Sequence, residues 1–411
     1  LQTRPITSLP HPVAPAGDTI VWDNSNIQES YCGVTTPLTF SFASRAYRSV
    51  YSQTLQVVGV PKNTLVQLEP VLKNLLGLVK GRVYYNINNW YRSLLILPFF
   101  NTNKADMERM MGLQDPEEFI EERSLTPLQK IMKLPGLLKT LASFKSDFRR
   151  IDQLVEEFRE HFQRQYDGIN RSRLHTLEMA ELLKLLEDFK ANCFGKWQNP
   201  IINDFYVMMM NGKVHRWLVK AGIENPAIVQ NNLMSGEEGV ESTEPTKFLL
   251  RMCDDARRDP ELLRLLEETP NDRLMTTLRS ANPGFHERCQ AYIELYGDRC
   301  MGELKLESIT LRQDPAFMFA VLKNFLTRPD LSVDALIRNE MHFRREAEDT
   351  AYAAIASKLG ERSLAAFKSD VAKLRQGVKS RENMRLARTR AFGIVRGIYL
   401  EVGKQLAFYG I

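Results

Sequence analysis

The sequence predicts a mainly α-helical protein, a multi-helix bundle in two lobes with several long helices. From about residue 37 onward, apolar residues recur at steps of three and four, the spacing of one helix face. Strand-like runs do not alternate with helical segments, which argues against a parallel α/β sheet. Apolar residues make up 44% of the 411 positions, enough for a sizeable core. We expect at most a short strand near the N-terminus.

Prolines and glycines divide the first part of the chain into short segments. Residues 1–17 contain four prolines and no apolar period, which predicts an extended linker. Residues 19–22 predict one short strand. Helices are predicted over 41–58, 65–76 and 82–97, and they end at Gly59 with Pro61, at Gly77 and at Pro98.

One long helix is predicted over about 137–166. Its apolar residues alternate steps of three and four and so form a single seam: Leu141, Phe144, Phe148, Ile151, Val155, Phe158 and Phe162. A bundle helix that packs on its neighbours accounts for this seam. An isolated coiled-coil dimer is the alternative.

The rest of the chain predicts further helices. They cover 176–193, 200–221, 247–256, 260–268, 272–279, 283–296, 315–326, 332–359 and 363–409, the last interrupted near Gly377. Glycine, serine and proline cluster at 230–245 and predict a mobile loop. We therefore expect a tail of another domain with a linker at 1–17, a first helical lobe at 18–229, a loop at 230–246 and a second lobe at 247–411.

Composition argues against several classes of protein. The chain has 55 basic and 50 acidic residues, a net charge of +5 that is too small to indicate nucleic-acid binding. The five cysteines form no C-x-x-C pair, which favours reduced thiols and a cytoplasmic location. The most apolar run, 94–100, is far too short to span a bilayer, so we expect no membrane association.

The sequence contains no recognisable catalytic or metal-binding motif. The six histidines lie far apart and none has the H-x-x-x-H or H-E-x-x-H spacing, so we expect no metal site. Walker, G-x-G-x-x-G and G-x-S-x-G motifs are absent. The sequence therefore predicts no catalytic residue, and its polar groups are candidates for binding.

A polar stretch at 22–41 is the first candidate site. Its amides, hydroxyl groups and carboxylate can orient a polar ligand, and we single out Asn24, Asn26, Glu29 and Thr36. The same side chains can instead cap the helix that follows Pro37 and hold the loop in place.

Three further groups of residues can bind a ligand. Arg299 and Glu303 are four apart, so on a helix they share a face; Arg299 can bind a phosphate or simply pair with Glu303. Arg381 and Arg385 belong to a basic stripe that can attract phosphate or form a solvated face. Tyr85 belongs to an aromatic group that can line a pocket for a flat ligand or pack between helices.

Several short motifs occur in the order found in one enzyme family. L-Q-T-R-P-I-T at 1–7 resembles the end of an ATP-grasp nucleotide domain, and W-D-N-S-N-I-Q-E at 22–29 resembles the start of the helical domain that follows it. G-D-R-x-x-x-E at 297–303 and K-S-R-E-N-M-R at 379–385 resemble later landmarks. The chain therefore resembles the central helical domain of phosphoenolpyruvate synthase and pyruvate phosphate dikinase-like phosphotransferases, rifampin phosphotransferases included.

The resemblance implies one part of a phosphoryl relay. In such a parent chain an ATP-grasp domain uses ATP with Mg²⁺, and a swivelling domain carries the phosphate on a histidine. This chain would bind the small-molecule acceptor and connect the other domains, with no catalysis by itself. Arg299 and Arg381 would bind the phosphate or an anionic acceptor, and Glu29 or Glu303 would orient an acceptor hydroxyl.

Two other functions remain open. A non-catalytic helical scaffold for a protein partner would show an apolar groove without convergent polar groups. A self-contained enzyme would turn over without other domains. The acceptor itself is also open between a small metabolite, a drug-like alcohol and pyruvate.

Overall fold

The computed structural model of the protein describes residues 20–94, 96, 104, 106–108 and 127–410. The predicted linker at 1–17 lies outside these residues. The chain divides into two compact units, the first comprising Leu1–Leu154 with Phe189–Ile201 and the second comprising Val155–Asp188 with Ile202–Ile411. The prediction of two lobes separated at 230–246 stays a prediction.

Helices dominate the described residues, as the spacing of apolar residues predicts. The first elements are β1 (Trp22–Asp23), α1 (Pro37–Val57), α2 (Lys62–Lys73), β2 (Leu76–Val79), β3 (Arg82–Asn86), α3 (Ile87–Leu94), α4 (Pro127–Arg149), α5 (Ile151–Asp167), α6 (Met179–Asn192) and α7 (Gln198–Lys220). The later ones are α8 (Pro226–Leu233), α9 (Glu244–Arg258), α10 (Pro260–Glu268), α11 (Leu274–Ala281), α12 (Pro283–Tyr296), α13 (Ala316–Leu326), α14 (Val333–Leu359) and α15 (Glu361–Phe408). The mainly α fold is thus confirmed.

The first unit contains a small antiparallel sheet in the order β1-β3-β2. Strands β2 and β3 form a hairpin whose two turn residues, Lys80 and Gly81, have φ angles of 49° and 77°. Two consecutive positive φ angles are the geometry of a tight hairpin turn that matches strand twist. Gly77 lies under the indole of Trp22, where a Cβ would come within 2.2 Å of the ring. The sheet therefore holds the polar stretch at its start.

Two predicted helices are wrong where the hairpin forms. The helix predicted at 65–76 ends at Lys73, and the one predicted at 82–97 begins only at Ile87, after strand β3. Tyr84 and Tyr85 satisfy the helical spacing, but aromatic residues also favour strands, and the positive-φ turn decides between the two. The sheet thus adds two strands to the one expected.

The predicted long helix over 137–166 is broken. Helix α4 ends at Arg149 and α5 begins at Ile151. The apolar seam is retained in part, since Phe144 and Phe158 are buried while Leu141 is 37% exposed. No proline or glycine marks the break, so the spacing alone could not locate it.

The last helix is continuous, and the predicted interruption at Gly377 is wrong. Asn203 of α7 donates a hydrogen bond to the Gly377 carbonyl over 3.1 Å. A Cβ on Gly377 would come within 2.9 Å of a Val207 methyl group. The glycine therefore permits two helices to approach closely instead of ending one of them.

The second unit has two buried clusters. One lies among helices α9 to α13, and its fully buried members include Met252 and Phe319. The other joins α7, α8, α14 and α15 around Leu218, Ala351 and Phe367. The predicted loop at 230–245 borders this second cluster, but its first residues belong to helix α8.

No helix within the described residues is both long enough and apolar enough to cross a lipid bilayer.

A charged network joins α14 and α15 beside the second cluster. Glu348 accepts hydrogen bonds from Arg375 at 2.5 Å and from Arg344 at 3.2 Å, while Arg375 also donates to the Leu233 carbonyl at 2.7 Å. Burial raises the pKa of Glu348, but the two arginines outweigh it and the net pKa is lowered. The ionised carboxylate therefore stabilises the folded state.

Replacing this carboxylate should produce a pH-dependent loss of stability. We expect Glu348→Gln to lower the free energy of unfolding by about 1–3 kcal/mol at pH 7, because charged hydrogen bonds are lost. A lowered folded pKa gives stability that is present above the unfolded value of about 4.3 and lost as the pH falls through the folded pKa. Denaturant unfolding across pH 3–8 should show the difference shrinking in acid. Glu346→Gln, whose side chain is 62% exposed, is the control and should change little.

Candidate functional site

The last helix carries three polar side chains on one face. Arg381, Arg385 and Thr389 are four residues apart on α15 and so lie one turn from each other. We call these three residues the α15 strip. Each contacts a carboxylate, and the partners come from three different places in the second unit.

The first carboxylate is Asp204 of α7. Its Oδ1 lies 3.3 Å from Arg381 Nε, and the two side chains are 38% and 36% exposed. Burial raises the pKa of Asp204, although Arg381 and Arg388 both act to lower it. The carboxyl group is thus closely surrounded by protein while part of its side chain still reaches solvent.

The second carboxylate is Glu382, next to Arg381 in sequence. Its Oε2 lies 4.0 Å from Arg385 Nη1, at the limit of an ion pair, and the Arg385 side chain is 42% exposed. Asn383 follows, and it holds the loop before α9. It accepts from the Glu241 N–H over 2.8 Å and donates to the Gly239 carbonyl over 3.1 Å.

The third carboxylate is Glu303, at the end of G-D-R-x-x-x-E. Its Oε1 lies 3.3 Å from Arg299 Nε, and its Oε2 accepts from the Thr389 hydroxyl over 2.8 Å. The pairing of Arg299 with Glu303 that the sequence predicts is confirmed. The two side chains meet although residues 299–303 lie outside the helices. Glu303 therefore connects the G-D-R-x-x-x-E segment to Thr389 of α15.

Arg396, two turns further along α15, fixes the same connecting segment. Its Nε and Nη2 donate to the Lys305 carbonyl at 3.1 and 2.8 Å, and Nη2 also donates to the Glu303 carbonyl at 2.9 Å. Burial lowers its pKa, and only 4% of the residue is exposed. Arg396 is therefore committed to holding the backbone.

A buried carboxylate anchors the beginning of that segment. Asp298 is 4% exposed and accepts from both terminal nitrogens of Arg171, at 2.5 and 2.9 Å. It also accepts from the Tyr166 hydroxyl at 2.9 Å, and Arg312 Nε lies 3.7 Å away. The guanidinium groups of Arg171 and Arg390 lie over the Tyr166 ring, 4.9 and 5.6 Å from its centre.

Gly393 lets α15 approach this anchor. A Cβ at that position would lie 2.3 Å from Asp298 Oδ1 and 2.5 Å from its Cγ. Contacts that short do not occur between real atoms, so any side chain would displace the carboxylate from Arg171. The glycine is therefore a condition for the buried pair.

In the first unit, the polar stretch forms turns beside the sheet. Asn26, Glu29 and Thr36 are exposed and Asn24 is partly buried. Thr36 is the N-cap of α1, with its hydroxyl 3.4 Å from the Thr39 N–H. For Thr36 the capping interpretation is therefore confirmed, and a ligand role for the four residues stays a prediction.

Tyr85 lies opposite Asp23 in the sheet and belongs to a ring of four aromatic side chains. The centroid distances run 6.2 Å for Tyr47–Tyr51, 4.9 Å for Tyr51–Trp90, 5.2 Å for Trp90–Tyr85 and 6.3 Å for Tyr85–Tyr47. All four residues are partly exposed. The hydroxyl groups of Tyr47 and Tyr85 lie 3.4 Å apart.

The structure thus brings four of the predicted site residues to one helix. Arg381 and Arg385 belong to the α15 strip, and Glu303 with Arg299 contacts it. Asp204 and Thr389 were not among the predicted site residues. Asp204 is the only acidic residue in the helix 198–220, and an isolated carboxylate of that kind was the available signal.

The described ranges contain no group of three or more histidine, cysteine, aspartate or glutamate side chains arranged to hold a metal ion. The site is therefore characterised by its arginines and carboxylates.

Comparison with protein families supports the resemblance seen in the motifs. Residues 196–382 match the family described as Rifampicin phosphotransferase fourth domain. The matched segment includes Asp204, Arg299, Glu303 and Arg381, and Arg385 lies three positions beyond it. A comparison with curated proteins found no match. The matched segment covers less than half of the chain and is similar to a domain of a phosphotransferase.

A glycine substitution tests whether the buried anchor supports the fold. Gly393→Ala should lower the free energy of unfolding by about 1–3 kcal/mol, because the added methyl group meets the Asp298 carboxylate. Gly403→Ala is the matched control on the same helix, since a Cβ there would meet nothing within 4 Å. It should be neutral or raise stability by about 0.5–1 kcal/mol. Chemical denaturation of both variants gives the comparison, and equal stabilities would exclude the close contact.

Proposed function

We propose, from the match of residues 196–382 to the phosphotransferase family, that the chain is an acceptor-binding and connecting domain of an ATP-dependent, dikinase-type phosphotransferase. The parent protein would supply an ATP-grasp domain that binds ATP with Mg²⁺ and a swivelling domain that carries phosphate on a histidine. This chain would hold the small-molecule acceptor while phosphate arrives, and it would not catalyse the transfer alone.

The exposed guanidinium groups of the α15 strip carry this proposal. The side chains of Arg381 and Arg385 are 36% and 42% exposed, so both reach solvent beside the carboxylates of Asp204 and Glu382. Planar guanidinium groups bind phosphate oxygens in pairs, and phosphoryl transfer depends mainly on positioning and charge neutralisation. These two residues are therefore suited to receive a phosphate.

The neighbouring arginines are suited to a different task. Arg396 donates to two backbone carbonyls, and Arg171 makes both of its terminal contacts with Asp298. A guanidinium group committed in this way would lose buried hydrogen bonds if it turned to a ligand. We assign these residues, together with Glu303 and Arg299, to positioning the strip.

The first unit offers groups of another kind for an acceptor. Asn26 and Glu29 present an exposed amide and carboxylate, and Tyr85 presents a phenol within the aromatic ring of four. Such a combination is suited to a molecule with a flat apolar part and hydroxyl groups. We therefore propose that the acceptor is a hydroxyl-bearing compound, either a drug-like alcohol or a small metabolite.

The test is phosphoryl transfer by the full-length parent. The protein is supplied with ATP and Mg²⁺ and with a panel of hydroxyl compounds that includes rifampicin, the compound in the family name, and pyruvate for comparison. AMP, phosphate and the phosphorylated acceptor are measured together. Failure to form either AMP or a phosphorylated histidine with any compound would contradict the proposal.

Substitutions in the strip make the test specific. Arg381→Ala and Arg385→Ala should each reduce transfer to the acceptor about 10²–10³-fold, the usual effect of removing one group that stabilises transition-state charge. Phosphorylation of the histidine from ATP should continue, since that step would occur elsewhere. Arg258→Ala, at an 81% exposed arginine of α9, is the control and should retain activity. Unchanged transfer in both variants would show that the α15 strip does not bind the transferred phosphate.

A further inference from the structure

The ion pair between Asp204 and Arg381 leaves both groups with unused hydrogen-bonding capacity. An ionised carboxylate offers about four acceptor positions, and a guanidinium offers about five N–H donors. Arg381 Nε approaches Asp204 Oδ1 to 3.3 Å, and each side chain is more than a third exposed. A donor and an acceptor therefore lie side by side at the surface.

The surroundings of Asp204 make an additional hydrogen-bond donor favourable. Its neighbours in the helix are buried, with Asn203 and Ile202 both at 0% exposure. Burial raises the pKa of the Asp204 carboxyl group; Arg381 and Arg388 act against this shift, and Glu382 adds to it. A carboxylate that lacks solvation gains more from a bound proton donor than a fully hydrated one.

We propose that Asp204 and Arg381 together form a binding site for a protonated phosphate group, such as dihydrogen phosphate or the monoanion of a phosphate monoester. Arg381 binds the charged oxygens, and Asp204 accepts a hydrogen bond from the P–O–H group. This inference rests on the proposed function in taking Arg381 as a phosphate-binding residue, and it adds Asp204 as the residue that selects the protonated form.

The geometry predicts discrimination between two anions of similar size and shape. Sulfate has no proton to donate at neutral pH, so its oxygens would face the Asp204 carboxylate without a hydrogen between them. Such a contact between acceptors weakens binding, because negatively charged oxygens repel each other and neither group supplies a hydrogen. Phosphate should therefore bind and sulfate should not.

The experiment is calorimetric titration of the chain with inorganic phosphate and with sulfate, at constant ionic strength and about pH 6, where a phosphate carries a proton. We expect phosphate to bind at least about tenfold more tightly than sulfate, a difference of about 1.4 kcal/mol. Arg381→Ala should abolish phosphate binding. Asp204→Asn should strengthen sulfate binding more than phosphate binding and so reduce the selectivity, because an amide can donate to either anion. Asp349→Asn removes the same charge at an exposed position of α14 and should behave as the parent sequence.

The folding of the Asp204→Asn variant can be checked independently of anion binding. A raised folded pKa means that stability declines as the pH rises through that pKa, and Asp204→Asn removes this decline. We therefore expect the melting temperature of Asp204→Asn to equal or exceed that of the parent sequence at pH 8. The difference should vanish below the unfolded aspartate pKa of about 4. A reduced selectivity for phosphate over sulfate in Asp204→Asn then reports the site and not unfolding.

Three results would overturn the inference. They are equal affinities for the two anions in the parent sequence, unchanged selectivity in Asp204→Asn, and no saturable phosphate binding by the chain at concentrations of tens of millimolar. The proposed function fails by a different readout, the absence of ATP-dependent transfer in the parent protein. Selective phosphate binding without transfer would support the Asp204–Arg381 site and contradict the proposed function. Transfer without selective binding would support the proposed function and contradict the site.

Discussion

The second unit depends on one buried ion pair, Asp298 with Arg171. Removing one partner of such a pair costs about 3–5 kcal/mol, because the other charge remains buried without compensation. Here the carboxylate also binds Tyr166 and is packed against Gly393 of the last helix. The pair therefore fixes the start of the connecting segment 297–314, which then contacts α15 through Glu303 and through the carbonyls that accept from Arg396.

The same attachment explains why two arginines of one helix have different roles. Arg396 is buried against the backbone of the attached segment, while Arg381 lies beyond its reach and remains 36% exposed. Glu303 is brought to Thr389, one turn after Arg385, so the segment also defines one end of the α15 strip. The buried contacts of the helix beyond Arg385 thus support the more exposed Arg381 and Arg385, at which we propose anion binding.

Local spacing predicted most of the helices but not their interruptions. Helices 260–268 and 283–296 were predicted at the bounds observed, because a proline at the first turn marks each start. The hairpin at Leu76–Asn86 was missed, since tyrosines at helical spacing also suit a strand. Gly377 was predicted to interrupt the last helix, because glycine often ends helices. Its role in close packing against α7 depends on the tertiary structure, which local sequence does not show.

The sequence predicted which arginines belong to the candidate site, but it did not predict which distant carboxylates they contact. Arg299 and Glu303 are four residues apart, so their contact followed from the sequence even though the helix between them did not form. The contact of Arg381 with Asp204 spans 177 positions, as the numbering shows, and no local pattern encodes it. Charge patterns therefore identified the arginines, while only the fold identified the carboxylates that accompany them.

The most direct measurement of the central claim, that α15 presents an anion site supported by the buried pair, is a crystal structure of the chain grown with inorganic phosphate. The account predicts a phosphate at the guanidinium of Arg381, within hydrogen-bond distance of the Asp204 carboxylate, with the Asp298–Arg171 pair intact. A phosphate bound instead at Arg299 or Arg396, or an Arg381 turned away from an empty site, would contradict it.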